Sequence, residues 1–430
     1  MDTAAPITPA KGPGDLSPAE DLGRALVVLV LWVAYAIWQQ WGHWGEDLAA
    51  LYVAGHLWHT GQPDLIYAAP PGFFGGTAPE WAPVMADLGV GDKLAFPYIY
   101  PPLWAVLMAP VSAMIGPQGF GDAVTLIQMP MLAASVLMAA LLLRTGRVSL
   151  RLWAMLGVAA LLTSMQSFLI LWHNQPTITT TFLILVAFTC LDRNRPVAAG
   201  AALALAAALK LTPAAFALIF LIDRQYRALA AFAVTGAALA MLSVLLAGAD
   251  MHVAFIDSLR AVRGTALMNA MNVSLLPALM AAGSGLGLAA PLDPQSHLAV
   301  LDEVPGWLIA GISLAGLVLT AAFLHALRDR SPALRRGIGV FALSLILALF
   351  GPLGWLHYYM LPLFLLPGLF GLFDRRRATA LALLVAVPSL RPVFLAIGGL
   401  PWGVPIYVSI ACATWLAVLA ALYLRARQRG

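Results

Sequence analysis

The chain has 430 residues, of which 61% are hydrophobic and only 10% charged, against roughly 25% charged in an ordinary soluble protein. So few charges cannot cover a water-facing surface, and the apolar excess is more than one core could hide. Disorder, a nucleic-acid binder and a soluble multidomain enzyme are excluded, which leaves a polytopic membrane protein.

The formal charge of +4 comes from 24 basic and 20 acidic residues, and every basic residue except Lys11, Lys93 and Lys210 is arginine. Residues 1–22 are polar and lack the basic region and cleavage site of a signal peptide, so they are expected to form a disordered cytoplasmic tail. Residues 23–430 are expected to form one all-α transmembrane domain.

Apolar stretches predict about twelve spans: 23–40, 122–143, 152–172, 176–191, 197–209, 211–222, 228–248, 306–326, 337–354, 358–373, 378–399 and 405–424. Six arginine clusters then set the orientation. They are Arg144, Arg147 and Arg151; Arg193 and Arg195; Arg224 and Arg227; Arg328, Arg330, Arg335 and Arg336; Arg375, Arg376 and Arg377; and Arg425, Arg427 and Arg429. All six share one side if residues 101–115 do not cross, so the positive-inside rule predicts a re-entrant or juxtamembrane helix there. Its Tyr100-Pro101-Pro102 start suits a helix beginning. Both termini are then cytoplasmic.

The outer side carries a long loop, 41–121, with Glu46, Asp47, Asp64, Glu80, Asp87 and Asp92 against Lys93 alone. A loop of that length is usually functional. A second outer segment covers 249–305 and contains the apolar stretch Val273 to Leu288.

Asp47 lies a few residues after the first span, at the level of lipid head groups. It opens the pattern formed with Tyr52, Ala54, Gly61 and Tyr67, and Tyr100-Pro101-Pro102-Leu103 follows. Neither sterics nor capping requires that arrangement. Together with the segment Ala199-Gly200-Ala201 through Leu209-Lys210-Leu211-Thr212-Pro213, Gln175 after His173-Asn174, Asn272-Val273-Ser274-Leu275 and Pro352-Leu353-Gly354-Trp355-Leu356-His357, it resembles glycosyltransferase family 87. Val273 stands where the family has glutamine, Asn174 where it usually has glycine, and Tyr358 where a second histidine is common.

The resemblance implies a GT-C type fold and transfer of mannose from a polyprenyl phosphate. The chemistry is arguable apart from it. A lipid phosphate is already a good leaving group, so the site needs a base for the acceptor hydroxyl and cations for the released phosphate. Asp47 suits the base, and one carboxylate with direct displacement predicts inversion. Lys210 interrupts an alanine-rich helix and is a phosphate candidate, with Arg260, Arg263 and His357 beside it. Arg260 and Arg263 are rare arginines on the outer side, although Asp257 could pair with either. Tyr52, Tyr100, His173, Asn174, Gln175, Asn272 and Trp355 complete the expected substrate contacts.

No Walker loop, dinucleotide fingerprint or zinc-ligand spacing occurs, and Asp47 has no D-x-D partner, so no metal or cofactor is expected. The partners expected are a polyprenyl-phosphate-linked sugar, a glycolipid or glycan acceptor and membrane lipids, with no nucleic acid. The leading expectation is a hexosyltransferase of the inner membrane with its site on the periplasmic face. A multi-span transporter or flippase, and an inactive scaffold of envelope assembly, are the competing ones.

Overall fold

Small polar residues and prolines decide where the helices begin. The computed structural model describes residues 17–428 except 71–72, 74–75, 144–146, 264–265, 287–292, 294–297 and 302–303. Arg144 and Arg429 of the expected clusters, and most of the expected tail, lie outside the described residues. Helix α1 (Pro18–Gln40) starts at a capping box, in which Ser17 Oγ accepts from Glu20 N at 3.2 Å and Glu20 Oε2 accepts from Ser17 N at 2.7 Å. After it come α2 (Glu46–His59), the short α3 (Ala82–Asp87) and α4 (Pro102–Met114), the last with proline in its first turn.

Helices α5 (Pro117–Leu143), α6 (Leu150–Thr163), α7 (Met165–Trp172), α8 (Thr177–Asp192), α9 (Pro196–Leu209) and the short α10 (Ala217–Ile222) follow. Helix α11 runs Tyr226–Arg263 with a break at Gly248. Strand β1 (Ala266–Asn269), helix α12 (Leu275–Gly285) and strand β2 (Leu298–Leu301) come next, β1 and β2 forming an antiparallel ribbon. The chain ends with α13 (Gly306–Leu327), α14 (Pro332–Phe350), the short α15 (Met360–Leu365) and α16 (Leu369–Leu372), α17 (Arg375–Ser389), α18 (Arg391–Gly398) and α19 (Gly403–Arg427).

Among the described residues six helices are long and apolar enough to cross a membrane: α1, α5, α11, α13, α14 and α19. A seventh span arises if α7 and α8, bent by 112° at their junction, count as one. The difference from the twelve expected stretches has local causes. The stretch 152–172 breaks where Ser164 caps α7, its Oγ accepting from Ser167 N at 3.1 Å. The stretch 378–399 breaks at Leu390, which pairs with Ser164 in an isolated bridge. The stretch 358–373 is a chain of short helical pieces around Pro362 and Pro367.

The two ends of the bundle differ. At one end, hydrogen bonds tie the arginine clusters together. Asp21 accepts from Leu150 N and Arg151 N at 2.7 and 3.0 Å. Arg147 donates to Phe373 O, Arg425 to Leu372 O and Arg330 to Ala426 O. Asp223 is clasped by Arg335 and Arg336, and Arg336 reaches Asp192 at 2.5 Å. At the other end, Gly42 N donates to Asp122 at 2.8 Å, so the end of α1 meets the start of α5. The intervening segment, with α2 packed on α4, therefore returns to the end from which it left. It has its own core, built on Tyr52, Leu57, Trp81, Met85, Tyr98 and Phe120.

Candidate active site

The site lies where the turn between α7 and α8 meets the start of α2. That approach is close. A Cβ on Gly45 would stand 2.4 Å from Asn174 Cβ and 2.9 Å from the His173 carbonyl oxygen, so only glycine lets the chains meet. Asn174 itself has φ of +48°, a conformation that asparagine tolerates better than most residues. Leu48 N donates to His173 O and Phe96 N to Glu46 O, which fixes the first turn of α2.

Neighbouring residues on that turn diverge to different partners. Glu46 Oε2 binds His173 Nδ1 at 2.9 Å, while Gln175 Nε2 donates to Asp47 Oδ2. Asp47 is half-buried and lines a cavity of 610 Å³. Burial pushes its carboxyl up from the ordinary 3.8 to about 6, opposed by the nearby charges of His173 and Lys210 and by the Gln175 bond. A carboxylate held near 6 is ionised at neutral pH yet basic enough to take a proton.

Lys210 stands where α9 ends, in extended backbone. Its Nζ lies 3.4 Å from Thr177 Oγ1 and 3.8 Å from the centre of the Tyr358 ring, a cation–π contact. It lines a second, smaller cavity of 220 Å³ with Thr177, Thr180, Thr181, Phe216 and Ser344. The two cavities share Ile99, Val262 and Leu353 as lining residues. The carboxylate thus faces one chamber, and the ammonium beside it faces the other.

His357 lines the larger cavity. It is only 5% exposed, and its Nε2 has no hydrogen-bond partner among the described residues. Leaving such an atom unpaired is costly, and Gln128 Oε1, Gln166 Oε1, Asn174 Oδ1 and the Tyr407 hydroxyl share that state among the described residues. Trp355 stacks against His357 at 6.5 Å between ring centres and lines the same cavity. Both are held by Asn272, fully buried, whose Oδ1 accepts from Gly354 N at 2.7 Å and whose backbone bridges Trp355.

The expected residues therefore fall into two groups. Asp47, His173, Gln175, Trp355 and His357 line the larger cavity, Lys210 adjoins it, and Tyr100 is close enough to Asp47 to feel its charge. The others are engaged elsewhere. Tyr52 donates to Ile115 O at 2.9 Å and ties α2 to α4. Asn174 donates to Thr125 of α5, and Asn272 staples the Trp355 segment. Arg260 pairs with Asp257 at 2.9 Å, and neither Arg260 nor Arg263 lines either cavity. Sequence reasoning missed Phe96, Tyr98, Tyr358 and the cavity face of Asp257. Only Asp257 carried a usable signal: residues 254, 257, 258 and 261 repeat with helical spacing beyond Gly248.

No group of three or more metal-ligating side chains occurs among the described residues. A polyprenol-phosphate-mannose-dependent alpha-(1-2)-phosphatidylinositol mannoside mannosyltransferase of Mycobacterium tuberculosis is 27% identical over 389 residues, 84% of this chain and 81% of that protein. The profile of glycosyltransferase family 87 matches residues 98–352. With more than half its length matched and six helices among its described residues long and apolar enough to cross a membrane, the chain belongs to glycosyltransferase family 87, a membrane glycosyltransferase family.

Proposed function

We propose that this chain moves a hexose, mannose by the likeness to its relative, from a polyprenyl phosphate to a glycolipid or glycan acceptor with inversion. The observation that carries the reading is the placement of Asp47 and Lys210 on either side of the junction between two cavities. The donor phosphate sits beside Lys210, with His357 Nε2 as a second contact, and its chain occupies the apolar smaller cavity. The acceptor enters the larger one. Asp47 takes the proton from the acceptor hydroxyl, whose oxygen attacks the anomeric carbon from the face opposite the phosphate. The carbon–oxygen bond to phosphorus breaks, and its electron pair leaves on the polyprenyl phosphate, where Lys210 meets the developing charge. Gln175 orients Asp47, while Glu46 and His173 hold the turn. Tyr100 and Trp355 bound the sugar, and Arg260 stays paired with Asp257.

Proteoliposomes given radiolabelled polyprenyl-phosphate-mannose and membrane glycolipid test this. Label should pass to the acceptor; label that merely changes leaflet would mean a flippase, and label that does neither would mean a scaffold.

The orientation belongs to the same proposal. The loop 41–121 and segment 249–305 lie on the periplasmic face of the inner membrane, residues 101–115 do not cross, and both termini are cytoplasmic. The meeting of Gly42 with Asp122 supports it. In a chain with Cys190 and Cys412 replaced by alanine, an impermeant thiol reagent on intact cells should label Asp92→Cys and Gly121→Cys but not Arg147→Cys. Labelling at 92 without labelling at 121 would show that the segment spans.

A further inference from the structure

The break at Gly248 sets up a partition between the cavities. Gly248 has φ of +78°, which ends the first half of α11 and redirects the second. His252 braces the break, its ring nitrogens bonding Gly248 O at 2.7 Å and Ser243 Oγ at 2.9 Å. The second half then presents two faces. Ala254, Asp257, Ser258 and Ala261, at helical spacing, line the larger cavity, whereas Phe255 and Leu259 line the smaller and Val262 lies on the border between them. One face is small and polar and the other is apolar.

The charges sort in the same way. The described residues lining the larger cavity include two carboxylates, Asp47 and Asp257, and no lysine or arginine; Asp257 sits at the open side, its side chain 58% exposed and paired at 2.9 Å with Arg260, whose guanidinium does not line the cavity. The smaller cavity holds Lys210 and no carboxylate. A carboxylate only accepts hydrogen bonds, so a ligand touching Asp257 must bring donors such as hydroxyls. Around it stand the rings of Tyr67, Phe96, Tyr98 and Trp355, apolar faces against which a pyranose can lie.

Resting on the proposed transferase reading, we infer that the larger cavity takes a neutral, polyhydroxylated acceptor end, that Asp257 reads its hydroxyls, and that an anionic group on that end is rejected. Any phosphate of a lipid acceptor stays outside the cavity. Arg260 acts as a positioning residue, holding Asp257 by its ion pair.

The test uses the full chain in nanodiscs with two probes, octyl α-mannoside and its 6-phosphate. Binding of each is measured by calorimetry, and transfer is measured with radiolabelled polyprenyl-phosphate-mannose. The neutral glycoside should bind at least about tenfold more tightly than the phosphate. Asp257→Asn should weaken the neutral probe about tenfold, the scale of one lost charged hydrogen bond, and narrow the gap between probes. Acceptor KM should rise with it while donor KM stays within about twofold. Arg260→Ala should raise acceptor KM and not donor KM. No binding of the glycoside to the unmodified protein, equal binding of both probes, or an unchanged affinity in Asp257→Asn would each overturn the inference. Binding that follows this pattern without any transfer of label would sink the transferase reading and leave the inference standing.

Discussion

Two enclosed aspartates in this protein are treated in opposite ways. Asp223, its side chain 1% exposed, is clasped by two guanidiniums at the arginine-rich end, and the second of these also holds Asp192. Asp47, at the other end, has one amide as its hydrogen-bonding partner and a cavity before it. The paired carboxylate ties α8, α10 and α14 together, whereas the under-paired one is left basic. A membrane protein with so few charges spends them either on holding helices or on chemistry, and the number of partners distinguishes the two uses.

Removing the clasped member should have the larger effect on stability. Asp223→Ala leaves Arg335 and Arg336 without their shared counter-charge, and a loss of about 3–5 kcal/mol is expected. Unfolding in detergent micelles measures it, and the protein that remains folded should keep near-normal kcat. A loss below about 1 kcal/mol would mean that the cluster is solvated and does not act as a clamp.

At the other end, substitutions should act on rate and not on folding. Lys210→Ala should lower kcat about 100-fold with little change in donor KM, because an oriented charge meeting the departing phosphate is typically worth about 3 kcal/mol. A raised KM with unchanged kcat would make Lys210 a ground-state grip only.

The pH profile sharpens the contrast further. Burial raises the Asp47 carboxyl to about 6, so its protonated, inactive fraction grows as pH falls through that value. The acid limb of kcat/KM should fall about tenfold per pH unit below about pH 6. A rate that stays flat down to about pH 4.5 would remove Asp47 from the base role.

Much of this contrast was legible in the residues. The arginine clusters marked one end of the bundle, and Arg147, Arg330, Arg335, Arg336 and Arg425 do bind backbone carbonyls and acids there. The Pro101-Pro102 start of α4 was visible because proline suits a first turn. The breaks at Ser164 and Leu390 were not, since both halves of each stretch are apolar and a cap inside such a run has no signature in hydropathy. At the site, Asp47 stood out by its pattern, but the partners of Tyr52 and Asn174 did not. Their hydroxyl and amide bind residues more than forty positions away, Ile115 and Thr125, which periodicity cannot foresee.

The most direct test is turnover and donor affinity of purified Asp47→Asn. The amide keeps the size of the side chain and its contact with Gln175 but cannot accept the acceptor's proton. Donor should bind as in the unmodified protein while transfer falls by about 100-fold or more. Retention of more than about a tenth of the turnover would contradict the assignment of Asp47 as the base.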